Sequence, residues 1–212
     1  MIVIENLSKK YKDNMILDNV SMVIENGKKV LIKGPNGVGK SVLLKLIVGY
    51  STADSGIIKI DDYILKKDYD FINGSGVSIN NPEFNKNLSG FDNLCYLAKI
   101  RKIASEDKIK ILVDYFNMND IIHKKYRNYS LGTKQKLRII QAVMDSSKYL
   151  ILDEPFDALD KKSQKLAIEL FNTYLKINKD ASIIYTTHNE TFHEGFADEI
   201  YEIDDSKLIK VK

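Results

Sequence analysis

Cysteine is nearly missing from this chain: Cys95 stands alone among 212 residues, so no internal disulfide can staple the fold. Long apolar runs are missing too, and none approaches the roughly 18 to 20 residues that a membrane-crossing helix needs. The opening Met1-Ile2-Val3-Ile4-Glu5-Asn6 reads as a short strand and lacks the cationic flank and longer apolar stretch of a secretory signal. These absences together lead us to expect a protein of the reducing cytoplasm, with nothing that addresses it for export. Charge of one sign is not in excess either: 32 Lys and Arg stand against 29 Asp and Glu, and the lysines are scattered, so no nucleic-acid partner is expected. Internal repeats and low-complexity linkers are likewise not found. With 44% hydrophobic residues at this length, the chain can bury a core of its own. One folding unit carrying an insertion is the expectation.

What is present is an alternation of short β-rich runs with helical patterns. Residues 29–33, 149–152 and 182–187 are apolar at nearly every position, as strands buried on both faces of a parallel sheet should be. Each run leads directly into polar chemistry: Gly34 onward, Asp153-Glu154, and His188. Ligands of open α/β sheets sit at the carboxyl ends of the strands, so three such clusters predict one shared site. Residues 2–7, 21–25 and 56–60 are strand-turn-strand in character, with Asn26-Gly27 as a turn, and predict an antiparallel layer beside the parallel core. From about Pro82 to Val143 the pattern becomes amphipathic and helical, as in 107–116 with its apolar Ile109, Ile111, Leu112, Val113 and Phe116. We expect a helical lobe inserted into the core.

Gly34-Pro35-Asn36-Gly37-Val38-Gly39-Lys40-Ser41 fits G-x-x-x-x-G-K-[ST] between a buried strand and a helical run over 42–48. The glycines let the backbone wrap so that its N–H groups face a phosphate, while the following helix offers the positive end of its dipole. Lys40 would reach the β- and γ-phosphates, and the Ser41 hydroxyl would ligate Mg²⁺. A glycine-rich turn before an ordinary helix is the bland alternative, which the strand before and helix after disfavour. Asp153 and Glu154 follow Tyr149-Leu150-Ile151-Leu152, so Asp153 can hold the Mg²⁺ shell while Glu154 polarises the attacking water.

Those two elements would suit kinases, helicases or GTPases alike. The segment Tyr129-Ser130-Leu131-Gly132-Thr133-Lys134-Gln135, shortly before the Asp153-Glu154 strand, resembles the signature loop of ABC ATPases. Its Ser-Leu-Gly-x-Lys-Gln form is most similar to that of ATPases serving peptide-antibiotic and lantibiotic-resistance exporters. Ser130 also reads as a helix cap, and both readings can hold together. The resemblance runs along nearly the whole chain. It implies an α/β P-loop NTPase, RecA-like in its parallel core sheet, with an antiparallel β layer and an inserted helical subdomain. The whole is then one ABC ATPase domain, with 1–81 and 144–212 as catalytic core and 82–143 as helical subdomain.

The same resemblance implies that Tyr11 stacks on adenine, that Ala158-Leu159-Asp160 contacts an opposite subunit, and that His188 meets the γ-phosphate. Gly34 to Val42 then bind ATP together with Tyr11, Ser130 and Gly132. Ser41, Asp153 and Asn80 surround Mg²⁺, while Lys40, Glu154 and His188 are catalytic. Three positions depart from the family pattern: Asn80 where a Gln is usual, Val42 where a Thr usually follows the cradle serine, and Leu131 in place of a signature glycine. Asn keeps the amide oxygen but is one methylene shorter, which predicts weaker direct contact with metal or water. The implied assembly is a head-to-tail homodimer, or a heterodimer with a related ATPase. It would drive a separate membrane permease from the inner face of the membrane and export peptide-like or antimicrobial substrates. The surface around 80–87 is the expected docking region, with Phe84 either its apolar anchor or an internal packing residue. A non-transport ABC ATPase acting on a cytosolic assembly, and a P-loop kinase or a module that uses nucleotide only structurally, remain the rival readings at this point.

Overall fold

The computed structural model describes residues 1–80, 82–101, 104–187 and 195–212. In chain order the strands are β1 (Ile2–Tyr11), β2 (Asn14–Ile24), β3 (Lys29–Lys33), β4 (Ser55–Ile60), β5 (Tyr63–Ile64), β6 (Ser75–Ser78), β7 (Tyr149–Leu152), β8 (Ser182–Thr187), β9 (Glu199–Asp204) and β10 (Lys207–Lys210). The α-helices are α1 (Lys40–Val48), α2 (Gly90–Arg101), α3 (Glu106–Tyr115), α4 (Leu131–Val143) and α5 (Lys161–Ile177), with a 3₁₀ turn at Tyr126–Asn128 ahead of α4.

Two sheets form. The larger has the order β10-β9-β3-β8-β7-β6, parallel from β9 through β6 and closed at one edge by the antiparallel β10. The smaller, β2-β1-β4-β5, is antiparallel throughout. Side chains along a strand alternate between faces, and β3 shows what that does here. Leu31 packs with the helices of the carboxyl-terminal half, whereas Val30 and Ile32 pack with α1 and the antiparallel sheet. Leu150 and Leu152 on β7, and Ile183 and Tyr185 on β8, join Leu31; Tyr149, Ile151 and Ile184 join the opposite side. Both faces of the parallel sheet are therefore dry, which is why these strands read as unbroken apolar runs.

The layer between the two sheets is filled by Leu43, Leu44, Leu46, Ile47 and Val48 of α1 against Ile2, Ile4, Val20, Ile24 and Ile60. Burying side chains of this size is worth about 1.5–3 kcal/mol each, so α1 is anchored firmly by its apolar face. Its first turn is left to face the ends of the strands. On the other face, α4 contributes Leu137, Ile140 and Val143 and α5 contributes Ala167 and Phe171, packed with Ile109, Leu112 and Val113 of α3. The helix expected over 107–116 begins one residue earlier, because Ser105 caps it by accepting from the Lys108 N–H at 3.2 Å. β1 and β2 run well past the expected 2–7 and 21–25: the added end of β1 is polar and held by pairing, whereas the added part of β2 buries Leu17 and Val20 in the layer between the sheets.

Candidate active site

The loop 34–39 turns from β3 into α1 through glycines that all adopt left-handed φ, 143° at Gly34, 83° at Gly37 and 118° at Gly39. At Gly34 the need is steric as well, for a Cβ there would lie 2.6 Å from the Ile203 carbonyl oxygen. Such a path is open to glycine and strained for other residues. α1 then starts with Gly39 as its cap, no side-chain cap bond and no acidic residue in its first turn, so the positive end of its dipole is not offset by its own carboxylates. Lys40 is buried, and its ammonium curls back to donate to the carbonyl oxygens of Gly34 at 2.7 Å and Pro35 at 3.0 Å. Pro35, Asn36 and Gly37 form the exposed crest of this loop, and Val38 is half-buried.

One residue further on, the Ser41 hydroxyl donates to Asp153 Oδ2 at 2.6 Å. Asp153 stands immediately after β7, where the β7/β8 register pairs Leu152 with Tyr185 and brings Thr186 alongside. The Thr186 hydroxyl donates to the other carboxylate oxygen, Oδ1, at 2.6 Å and accepts the Glu154 N–H at 3.0 Å. The Asn80 N–H approaches Asp153 Oδ2 at 3.4 Å, so this residue reaches the cluster through its backbone, and it also lines the adjacent cavity. Among the described residues no group of three or more His, Cys, Asp or Glu side chains could hold a metal by itself. A hydroxyl and a carboxylate 2.6 Å apart, beside an anion-binding loop, are nonetheless the hard-oxygen pair that Mg²⁺ takes when phosphates complete its shell.

Glu154 adopts φ 49°, a left-handed conformation at a non-glycine residue. Its backbone is held on the amide side by Thr186 and on the carbonyl side by Gln135, whose Nε2 donates to the carbonyls of Glu154 at 3.3 Å and Pro155 at 2.9 Å. Asp153 and Glu154 line a cavity of about 420 Å³ with Asn80, Gln135, Arg138 and Asp157. Beside it, the Lys86 ammonium bonds Glu83 and holds that carboxyl below its ordinary pKa.

The remaining residues singled out in the sequence are placed elsewhere. Ser130 caps α4 by accepting from the Thr133 N–H at 3.2 Å and is exposed. With Gly132 it lines a separate depression of about 240 Å³ that includes Leu159, Asp160 and Ser163. Asp160 caps α5, and the Ser163 N–H holds its carboxyl below the ordinary pKa. Tyr11 sits at the end of the β1–β2 hairpin, 47% exposed, and Lys9 Nζ lies 5.2 Å from its ring centroid. The same hairpin reaches the loop, because Ile16 is the nearest neighbour of the Gly39 position. Val42 turns its side chain to the α1 core. Phe84 is half-buried and packs edge-on against the buried Tyr126 at 5.3 Å. His188 lies outside the described residues. Sequence reasoning misses Thr186 and Arg138 altogether and takes Gln135 only as the end of the signature segment, not as a partner of the Glu154 and Pro155 carbonyls; for Thr186 the usable signal is the parallel register that sets it beside Asp153.

A loop of this geometry, joined by hydroxyl and carboxylate to a neighbouring strand end, has the donors that a phosphate group takes, and the family model for ABC transporters matches residues 17–157 around it. The chain belongs to the ABC transporter ATP-binding family. YybJ of Bacillus subtilis (strain 168), an uncharacterized ABC transporter ATP-binding protein, is 33% identical across 98% of this chain and 94% of its own length. The lantibiotic transport ATP-binding protein SrtF of Streptococcus pyogenes is also 33% identical, over 100% of this chain and 90% of its own. Other relatives are longer: the chain spans 53% of B. subtilis YdbJ, to which it is 36% identical. Among solved structures, the ATP-binding subunit of an ABC transporter superposes with a TM-score of 0.87 at 24% identity, covering 100% of this chain and 90% of that one. The dimeric MJ0796 cassette, bound to ADP and Pi in a post-hydrolysis state, gives 0.85 at 21% identity over 100% and 99%. At these identities the likeness is one of fold. This ABC ATPase thus has the P-loop NTPase architecture expected of it, a parallel core sheet with an antiparallel layer and helices.

Proposed function

We propose that this ABC ATPase grips ATP·Mg²⁺ with residues 34–42 and hydrolyses it in a head-to-tail dimer to drive a separate membrane permease. The observation that carries the proposal is the Ser41–Asp153–Thr186 cluster at the carboxyl ends of β7 and β8, directly below the loop. Lys40 is stored against the Gly34 and Pro35 carbonyls, within the loop whose N–H groups would receive a phosphate, and exchanges those partners for phosphate oxygens. Ser41 and Asp153 would hold Mg²⁺, which when bound neutralises phosphate charge. Asn80 steadies Asp153 through its N–H. Glu154 orients the attacking water and withdraws a proton from it, and His188 meets the γ-phosphate. Tyr11 offers its exposed ring to adenine.

In the dimer, Ser130 and Gly132 of one copy close over the nucleotide of the other, which suits their place on an exposed depression away from their own loop. Residues 82–143 act as the helical subdomain set into a core of 1–81 and 144–212. Among the described residues no helix is long and apolar enough to cross a membrane, in keeping with a peripheral subunit that meets the bilayer through its permease. The similarity to a lantibiotic transport protein supports export of peptide-like substrates. Steady-state phosphate release with ATP and Mg²⁺ tests the catalytic half: turnover is expected, and Lys40→Ala should abolish it. Turnover that survives Lys40→Ala would contradict the proposal.

A further inference from the structure

Gln135 and Arg138 sit one turn apart on α4, in positions where an amphipathic helix ordinarily buries hydrocarbon. They are only 4% and 7% exposed. A buried guanidinium is costly unless its hydrogen bonds are met, so its retention here calls for a reason. Four of their bonds form one line. Arg138 Nε donates to the Pro82 carbonyl at 3.2 Å, and Arg138 Nη1 donates to Gln135 Oε1 at 3.1 Å. The amide at the other end of Gln135 donates to the Glu154 and Pro155 carbonyls at 3.3 and 2.9 Å. The line thus begins two residues beyond Asn80 and ends on the backbone of Glu154.

Glu154 is where such a restraint has an effect. A non-glycine residue at φ 49° occupies a sparsely populated region that costs about 1–3 kcal/mol and persists only when its surroundings hold it. Thr186 holds the amide, the Asp157 N–H and Gln135 share the carbonyl at 3.2 and 3.3 Å, and Gln135 alone of these also holds the next carbonyl, that of Pro155, so the backbone that aims the carboxylate is set from both sides. Without Gln135, the Glu154 carbonyl keeps only the Asp157 N–H at 3.2 Å and the Pro155 carbonyl loses its 2.9 Å donor, so the restraint on the peptide after Glu154, and with it on the carboxylate, is loosened.

We propose that the Gln135–Arg138 pair is a positioning device for Glu154, which locks its carboxylate in place and ties that lock to the segment following Asn80. The proposal rests on the assignment of Glu154 as the residue that polarises the attacking water. It makes α4, whose first residues carry the signature segment, part of the geometry of the same copy's catalytic carboxylate. Neither residue need touch nucleotide.

The test measures kcat and KM for ATP with the full chain and Mg²⁺, together with the affinity for the fluorescent analogue TNP-ATP. Gln135→Met keeps the volume and removes the amide. It should lower kcat by about tenfold or more, part of the 10²–10⁴ that a well-placed base supplies, and leave analogue affinity and KM within about twofold. In a Glu154→Gln background the same change should alter residual turnover by less than about twofold, because the group being positioned is gone. Arg138→Lys keeps the charge on a single donor head and should lower kcat to a lesser degree. It decides the question if Gln135→Met does not fold. Wild-type kcat in these variants, or losses that simply multiply in the Glu154→Gln background, would overturn the proposal while Glu154→Gln itself remains inactive. Wild-type turnover in Glu154→Gln would instead overturn the assignment on which it rests.

Discussion

At the residue scale, Tyr129 shows how the approach to the signature segment is fixed. Its buried hydroxyl donates to the Ile122 carbonyl at 2.9 Å and accepts the Gly90 N–H at 3.2 Å, joining the start of α2 to the turn before α4. Burial pushes its pKa up to about 12. Tyr129→Phe removes the partner of two buried backbone groups and should cost about 1–3 kcal/mol near neutral pH, read as a lower melting temperature. The folded pKa lies above the unfolded one, so this contribution is fully present below about pH 10 and fades as pH rises toward 12. The gap in melting temperature between wild type and Tyr129→Phe should therefore be flat from neutral pH to about 9 and narrow above 10. A gap unchanged at high pH would contradict the assignment. Residues of this kind explain what was legible and what was not. Gly34, Lys40 and Ser41 could be read because the path of the loop demands those types at that spacing. Gln135, Arg138 and Thr186 could not, since their partners lie far off in sequence and meet them only through the fold.

At the element scale, β6 and α4 meet at a contact that has no room for a side chain. A Cβ on Gly76 would run into the Ala142 carbonyl and lie 2.8 Å from Leu150 Cδ2. Gly76→Ala must push α4 off the sheet, at a cost of about 1–3 kcal/mol or more. A lower denaturant midpoint with an unchanged slope is the expected reading, and an unchanged midpoint would refute the tight seat. The same geometry explains why β6 was not among the strong strand readings: Ser75–Ser78 carries a glycine and two serines, and its place is set by pairing with β7 and by α4. By contrast β3, β7 and β8 announce themselves, because burial on both faces leaves at least three consecutive apolar residues in each. The shift of α3 by one residue came from a cap at Ser105, a local hydrogen bond that the apolar spacing does not encode.

At the scale of the whole molecule, the parallel sheet presents loop, carboxylates and Thr186 at one end, while Ser130 and Gly132 occupy a different depression. In the proposed head-to-tail pair the two halves of the nucleotide site come from different copies, and the γ-phosphate biases an open and a closed pair by contacting both. Blocking hydrolysis should then trap the closed pair. The decisive measurement is the mass of Glu154→Gln in solution, by light scattering on a sizing column, with ATP and Mg²⁺ and again with ADP. The account predicts a dimer with ATP and a monomer with ADP. A strict monomer with ATP, in a protein shown to bind it, would contradict the account.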